Sequence, residues 1–125
     1  MKKDKLIYWA TTIVIGCSLL YSALLYLTND EMKQGFVHLG FPNYFRIELA
    51  ICQMIACWLL IMPSDNIYLK ITVYAGLFFT FGSAAIAHAC VGDSISTVLM
   101  PLFYVVLLLI SLTFYAKLRI LPTEQ

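Results

Sequence analysis

Glu48 and His88 are the residues whose types most invite chemistry, because each lies inside a long apolar run where an ionisable group is costly to bury. Arg46 stands two residues before Glu48 and points about 200° away from it on a helix, so these neighbours do not pair. Glu48 needs a partner from another segment, and His88 is the expected one. Counting helical rise from the inner ends of the two runs puts Glu48 at ~22 Å and His88 at ~26 Å, both in the outer half of a bilayer. Such a pair is either a proton-linked element or a structural clamp between two helices. Gln53 shares a face with Arg46 and Ala50 and lies ~15 Å deep, near the midplane. A midplane amide must bond to a carbonyl, a hydroxyl or a ligand, which makes Gln53 either interhelical glue or a binding group. His38 and Asp93 fall in connecting segments and are secondary candidates for an outer polar rim.

Other chemistries lack their residues. There is no Walker loop, no G-x-G-x-x-G opening a helix, no H-E-x-x-H and no G-x-S-x-G. His38 and His88 are not at metal-ligand spacing. Cys17, Cys52, Cys57 and Cys90 form no C-x-x-C pair and are read as small apolar core residues. No catalytic residue, metal or resident cofactor is expected, and the chain is not expected to be an enzyme on its own.

The elements that carry these residues follow from composition. Of 125 residues, 62% are hydrophobic and 12% charged, against about 45–50% and about 25% in soluble domains. A chain this short cannot enclose so much apolar surface in water. Four runs are long enough to cross ~30 Å of hydrocarbon: residues 6–27, 44–62, 71–92 and 94–116. The expectation is one all-α transmembrane domain over residues 1–125, a four-helix bundle with a short interfacial segment between helices 1 and 2. The first run is longer than a signal-peptide core and is kept as a helix. Within residues 28–43, Asn29 or Asp30 can cap a short helix, and Met32, Phe36 and Leu39 share one face. That segment either lies along the interface and folds back over the bundle, or is an ordinary loop.

Gly76, Thr80, Ser83 and Ala87 offer a face of small side chains for close helix approach. Tyr8, Trp9, Tyr26, Tyr44 and Tyr115 sit near span ends, as interfacial aromatic belts do. Four spans put both termini on one side, together with Lys2, Lys3, Lys5, Lys70, Lys117 and Arg119, while Lys33 and Arg46 lie on the other. The excess of cations places both termini in the cytoplasm. A net charge of +1 suggests no nucleic-acid partner.

Leu39-Gly40-Phe41-Pro42-Asn43-Tyr44-Phe45-Arg46-Ile47-Glu48-Leu49-Ala50, then Tyr74-Ala75-Gly76, then Ser83-Ala84-Ala85-Ile86-Ala87-His88 followed by Gly92-Asp93, make the chain resemble the DoxX-like family of small four-span membrane proteins. The resemblance implies a four-helix bundle in a bacterial cytoplasmic membrane, with Glu48 and His88 on the family's recurrent Glu and His positions. Some relatives are subunits of quinone-linked or membrane-associated oxidoreductase systems, and distant eukaryotic relatives assist receptor assembly. Most have no assigned activity. Two departures stand out: Gln53 replaces a Lys found in many relatives, and the third helix opens as Lys70-Ile71-Thr72-Val73-Tyr74 rather than with a K-E-W-A-Y pattern.

The expected function is a non-catalytic membrane subunit, or a lipid- or quinone-binding bundle, serving an oxidoreductase partner. The alternatives are a small proton-coupled transporter and a membrane-protein assembly factor. Membrane lipid, a second membrane protein and further copies of this chain are the partners considered.

Overall fold

Backbone in hydrocarbon must satisfy its own N–H and C=O groups, and a helix does so within one segment. The computed structural model describes residues 2–120. These form α1 (Lys2–Thr28), α2 (Asp30–His38), α3 (Asn43–Ile61), α4 (Ile67–Cys90) and α5 (Ile95–Tyr115), the last running into a π-helical turn at Ala116–Ile120. Four of them, α1, α3, α4 and α5, are long and apolar enough to cross a membrane. The all-α bundle expected from hydropathy is therefore present. α1 and α4 begin ahead of their apolar runs, α4 because Asn66 caps it by accepting from the Leu69 N–H at 3.1 Å.

The long helices close into a ring in the order α1, α3, α4, α5, and α3 touches α4 least. α2 folds over one end of α1 and α3. Asn29 caps it, accepting from the Met32 N–H at 3.1 Å. Phe36 is its buried residue and meets Tyr26 of α1 edge-on, with ring centres 4.8 Å apart. Residues 28–43 thus form a short helix turned onto the bundle.

Close helix approach occurs at a different place from the one the small residues suggested. Gly76 has open space where a Cβ would stand, and Gly76 and Ser83 are exposed. The buried stripe of α4 runs instead through Val73, Tyr74, Leu77 and Ala85. The tight crossing is α1 on α3 at Gly16, where a Cβ would come within 2.6 Å of the Ile61 side chain. Its carbonyl accepts from the Cys57 thiol at 3.2 Å. Cys17, Cys52 and Cys90 are exposed, against the core reading; a thiol is apolar enough to face lipid, so nothing drives it inward. Tyr8 and Tyr115 also point inward, 6% and 3% exposed, with ring centres 5.9 Å apart. Tyr44, 70% exposed, points outward.

Polar contacts inside the ring do what hydrophobicity cannot do between helices in lipid. Ser111 of α5 is fully buried and shares hydrogen bonds with Thr12 of α1 and Tyr74 of α4, both at 2.7 Å. Ser18 and Tyr104 join α1 to α5 at 2.9 Å. Lys70 is 2% exposed, and its ammonium donates to the carbonyls of Leu59, Leu60 and Met62 at 2.9, 2.7 and 2.8 Å. These oxygens lie at the C-terminal end of α3, where no further turn supplies donors. Lys70 therefore satisfies them, opposes the negative end of the helix dipole and ties α4 to α3.

Ser111→Ala breaks both bonds of the hydroxyl chain and should destabilise the bundle by about 1–2 kcal/mol. Lys70→Met strands three carbonyls and should cost more, about 3 kcal/mol. Reversible unfolding of both variants in mixed micelles checks the magnitudes and their order; equal or negligible losses would contradict this packing.

Candidate functional site

The end of the bundle that carries α2 gathers His38, His88 and Asp93. α4 ends in a Schellman turn: Gly92, at φ +79°, donates to the Ala89 carbonyl at 3.2 Å, and the Asp93 N–H returns to the His88 carbonyl at 3.0 Å. Glycine reaches this left-handed conformation without a Cβ penalty. α2 ends the same way through Gly40, with the Phe41 N–H returning to the Phe36 carbonyl at 2.9 Å. Such turns usually bring two apolar side chains together, as Phe36 and Phe41 do, 6.2 Å between ring centres. At the end of α4 the corresponding positions hold His88 and Asp93.

One carboxylate serves two imidazoles there. His88 Nδ1 lies 2.6 Å from Asp93 Oδ2, and His38 Nε2, in the last residue of α2, lies 2.8 Å from Asp93 Oδ1. An ionised carboxylate only accepts, so His88 donates from Nδ1 and His38 from Nε2. The N–H groups of His88, and secondarily of His38, hold the Asp93 carboxyl below its ordinary value. The side chains of His38, His88 and Asp93 are 56%, 26% and 20% exposed, so the cluster is open at the surface. It sets two imidazole rings on one carboxylate at one rim of the bundle.

The expected pairing of Glu48 with His88 does not form. His88 bonds to Asp93, and Glu48 is exposed on α3 with no ion pair among the described residues. The reason is local: the turn at Gly92 brings a carboxylate back onto His88 within five residues, before any other helix is needed. Arg46 and Glu48 do point apart, as their spacing required. Arg46 is 5% exposed and donates to the Tyr26 carbonyl in the last turn of α1 and to Asn43 Oδ1 at 2.7 Å. It is the fourth residue of α3, as Lys70 is the fourth of α4, and each closes the C-terminal end of the preceding long helix.

Gln53 is 5% exposed, on the same buried face as Arg46 and Ala50, and its Oε1 is buried with no hydrogen-bond partner among the described residues. The Tyr26 phenol faces it from α1. Five of the six sequence candidates thus fall into two groups, Arg46 and Gln53 inside α3's packing face and His38, His88 and Asp93 joined at the rim, and Glu48 stands apart. Lys70 and Ser111 were missed as contact residues. The signal for Lys70 was its place one turn after the Pro63–Asn66 break, where a long cationic side chain reaches back to the previous helix.

The family model described as the DoxX-like family matches residues 10–111. No curated protein and no solved structure matches the chain.

Because the Asp93 pKa is lowered in the folded protein, its contribution is complete above the ordinary carboxylate value of about 4 and is lost as pH falls through the lowered folded value. Asp93→Asn should speed amide exchange in α2 several-fold at neutral pH, to the level that the unsubstituted protein reaches only in acid. Hydrogen exchange of the α2 amides, corrected for intrinsic rates, checks this; unchanged protection in the variant would mean that the histidines do not depend on Asp93.

Proposed function

The chain belongs to the DoxX-like family, and from that premise we propose that this multi-pass membrane protein is a non-catalytic subunit serving an oxidoreductase partner, whose α2-side rim takes a quinone or lipid headgroup. The observation that carries the reading is the Asp93 carboxylate shared by His38 and His88. A quinone carbonyl needs a hydrogen-bond donor, and its reduction takes up protons. With one nitrogen of each imidazole on Asp93, the outer nitrogens, His88 Nε2 and His38 Nδ1, donate to the carbonyl and give up a proton when the rings are protonated. Glu48, exposed near the same end of α3, is the further acidic group that a bound headgroup would meet.

The same proposal places the protein in a bacterial cytoplasmic membrane with both termini inside. Lys70 and Arg46 are engaged in helix ends, which leaves Lys2, Lys3, Lys5, Lys117 and Arg119 at the terminal end against Lys33 at the other. That imbalance favours a cytoplasmic terminal end. The buried ionisable pair that motivated a proton-coupled transporter is absent between Glu48 and His88, so the subunit reading is the better supported one.

Titration of the purified protein with a short-chain ubiquinone analogue tests the proposal. His88→Ala should weaken binding by about tenfold, the loss of one good hydrogen bond to the ligand; Asp93→Asn, which releases both imidazoles, should also weaken it, and Glu48→Gln should weaken it less. No binding by the unsubstituted protein, together with no co-purifying membrane partner, would refute the reading.

A further inference from the structure

At the opposite end of the bundle a cavity of about 420 Å3 opens beside the start of α1, the Pro63–Ser64 turn and the end of α5. Three cations line it, Lys5, Lys70 and Arg119, and among the described residues no carboxylate does. Lys70 has all three ammonium donors on α3 carbonyls, so it contributes charge without a free N–H. Arg119 has an ion pair with Asp65 at 3.0 Å, but Asp65 is 95% exposed, and such surface pairs are weak. Lys5 is exposed and makes no ion pair among the described residues.

The cavity wall holds a second, independent sign of a ligand. Tyr115 is 3% exposed, and its hydroxyl is buried with no hydrogen-bond partner among the described residues. A buried O–H without an acceptor is unfavourable. Tyr115 lines a cavity whose cations attract the acceptors its hydroxyl lacks. Trp9 and Tyr8 complete the wall, an aromatic surface suited to the boundary between headgroup and acyl chain.

We propose that this cavity binds the phosphate of an anionic phospholipid. Lys5 and Arg119 contact the phosphate oxygens, Tyr115 donates to one of them, Lys70 adds positive charge behind, and Trp9 packs against the glycerol and first methylenes. Basic pockets between membrane helices recognise acidic headgroups on these terms. Free inorganic phosphate shares the anion chemistry, but the aromatic wall and the position at the ends of the spans favour the lipid. The site is remote from the rim of His38, Asp93 and His88 and does not depend on the quinone reading.

Trp9 reports on its own cavity once the exposed Trp58 is replaced by Phe. In phosphatidylcholine nanodiscs containing a small mole fraction of brominated lipid, brominated phosphatidylglycerol should quench Trp9 at least about fivefold more effectively than brominated phosphatidylcholine, as expected for even one well-placed cation. Lys5→Gln with Arg119→Gln should bring that ratio close to unity. Both side chains are exposed, so the fold should not suffer. Tyr115→Phe, which keeps the ring, should reduce the ratio measurably. Equal quenching by the two lipids, or a preference untouched by the double substitution, would overturn the proposal. A preference abolished by millimolar inorganic phosphate at constant ionic strength would overturn the lipid in favour of a free anion.

Discussion

A helix that ends at a membrane surface leaves its last carbonyls without intrahelical donors, and in this bundle two such ends are closed by a cation from the fourth residue of the next long helix. Arg46 reaches from α3 to the last turn of α1, and Lys70 reaches from α4 to the last turn of α3. Each contact does three things at once. It satisfies oxygens that lipid cannot, it sets positive charge against the negative end of a helix dipole, and it fixes the angle at which one helix turns back beside its predecessor. Lys70 matters the more because α3 and α4 touch little elsewhere. Both charges belong to the scaffold, and the hydroxyl chain through Thr12, Ser111 and Tyr74 extends the same rule to the interior.

With the interior committed in this way, Gln53 Oε1 aside, the other groups left to meet a ligand lie at the two ends. At one end the Schellman turn at Gly92 returns Asp93 to His88, and α2 brings His38 to the other carboxylate oxygen. At the other end, cations and an unpartnered phenol surround a cavity. The same physical demand, that polar groups near hydrocarbon find partners, therefore separates structural from binding residues. Arg46, Lys70 and Ser111 have theirs within the chain. The rim histidines share one carboxylate and stay in contact with solvent, and the Tyr115 hydroxyl has no acceptor within the described residues.

Hydropathy made the fold legible because four charge-free or nearly charge-free runs admit few other arrangements in lipid. Helical spacing also separated Arg46 from Glu48 correctly and placed Arg46, Ala50 and Gln53 on one face. The choice of contacts was less legible. His88 was matched by height to a residue on another helix, whereas a glycine in the left-handed region supplied a carboxylate five residues away. The small-residue stripe of α4 suggested close packing, yet Gly16 provides it, because what counts is the side chain opposite each glycine and one sequence does not reveal that. Likewise, the inward turn of Tyr8 and Tyr115 depends on three helices meeting at one end.

Solid-state NMR of the protein in lipid bilayers, measuring site-resolved dipolar couplings from Lys70 Nζ to backbone carbonyl carbons, tests the capping of one helix by the next. The ammonium should couple to the carbonyls of Leu59, Leu60 and Met62, with oxygens 2.7–2.9 Å away. A mobile ammonium with no coupling to these three carbonyls would contradict it.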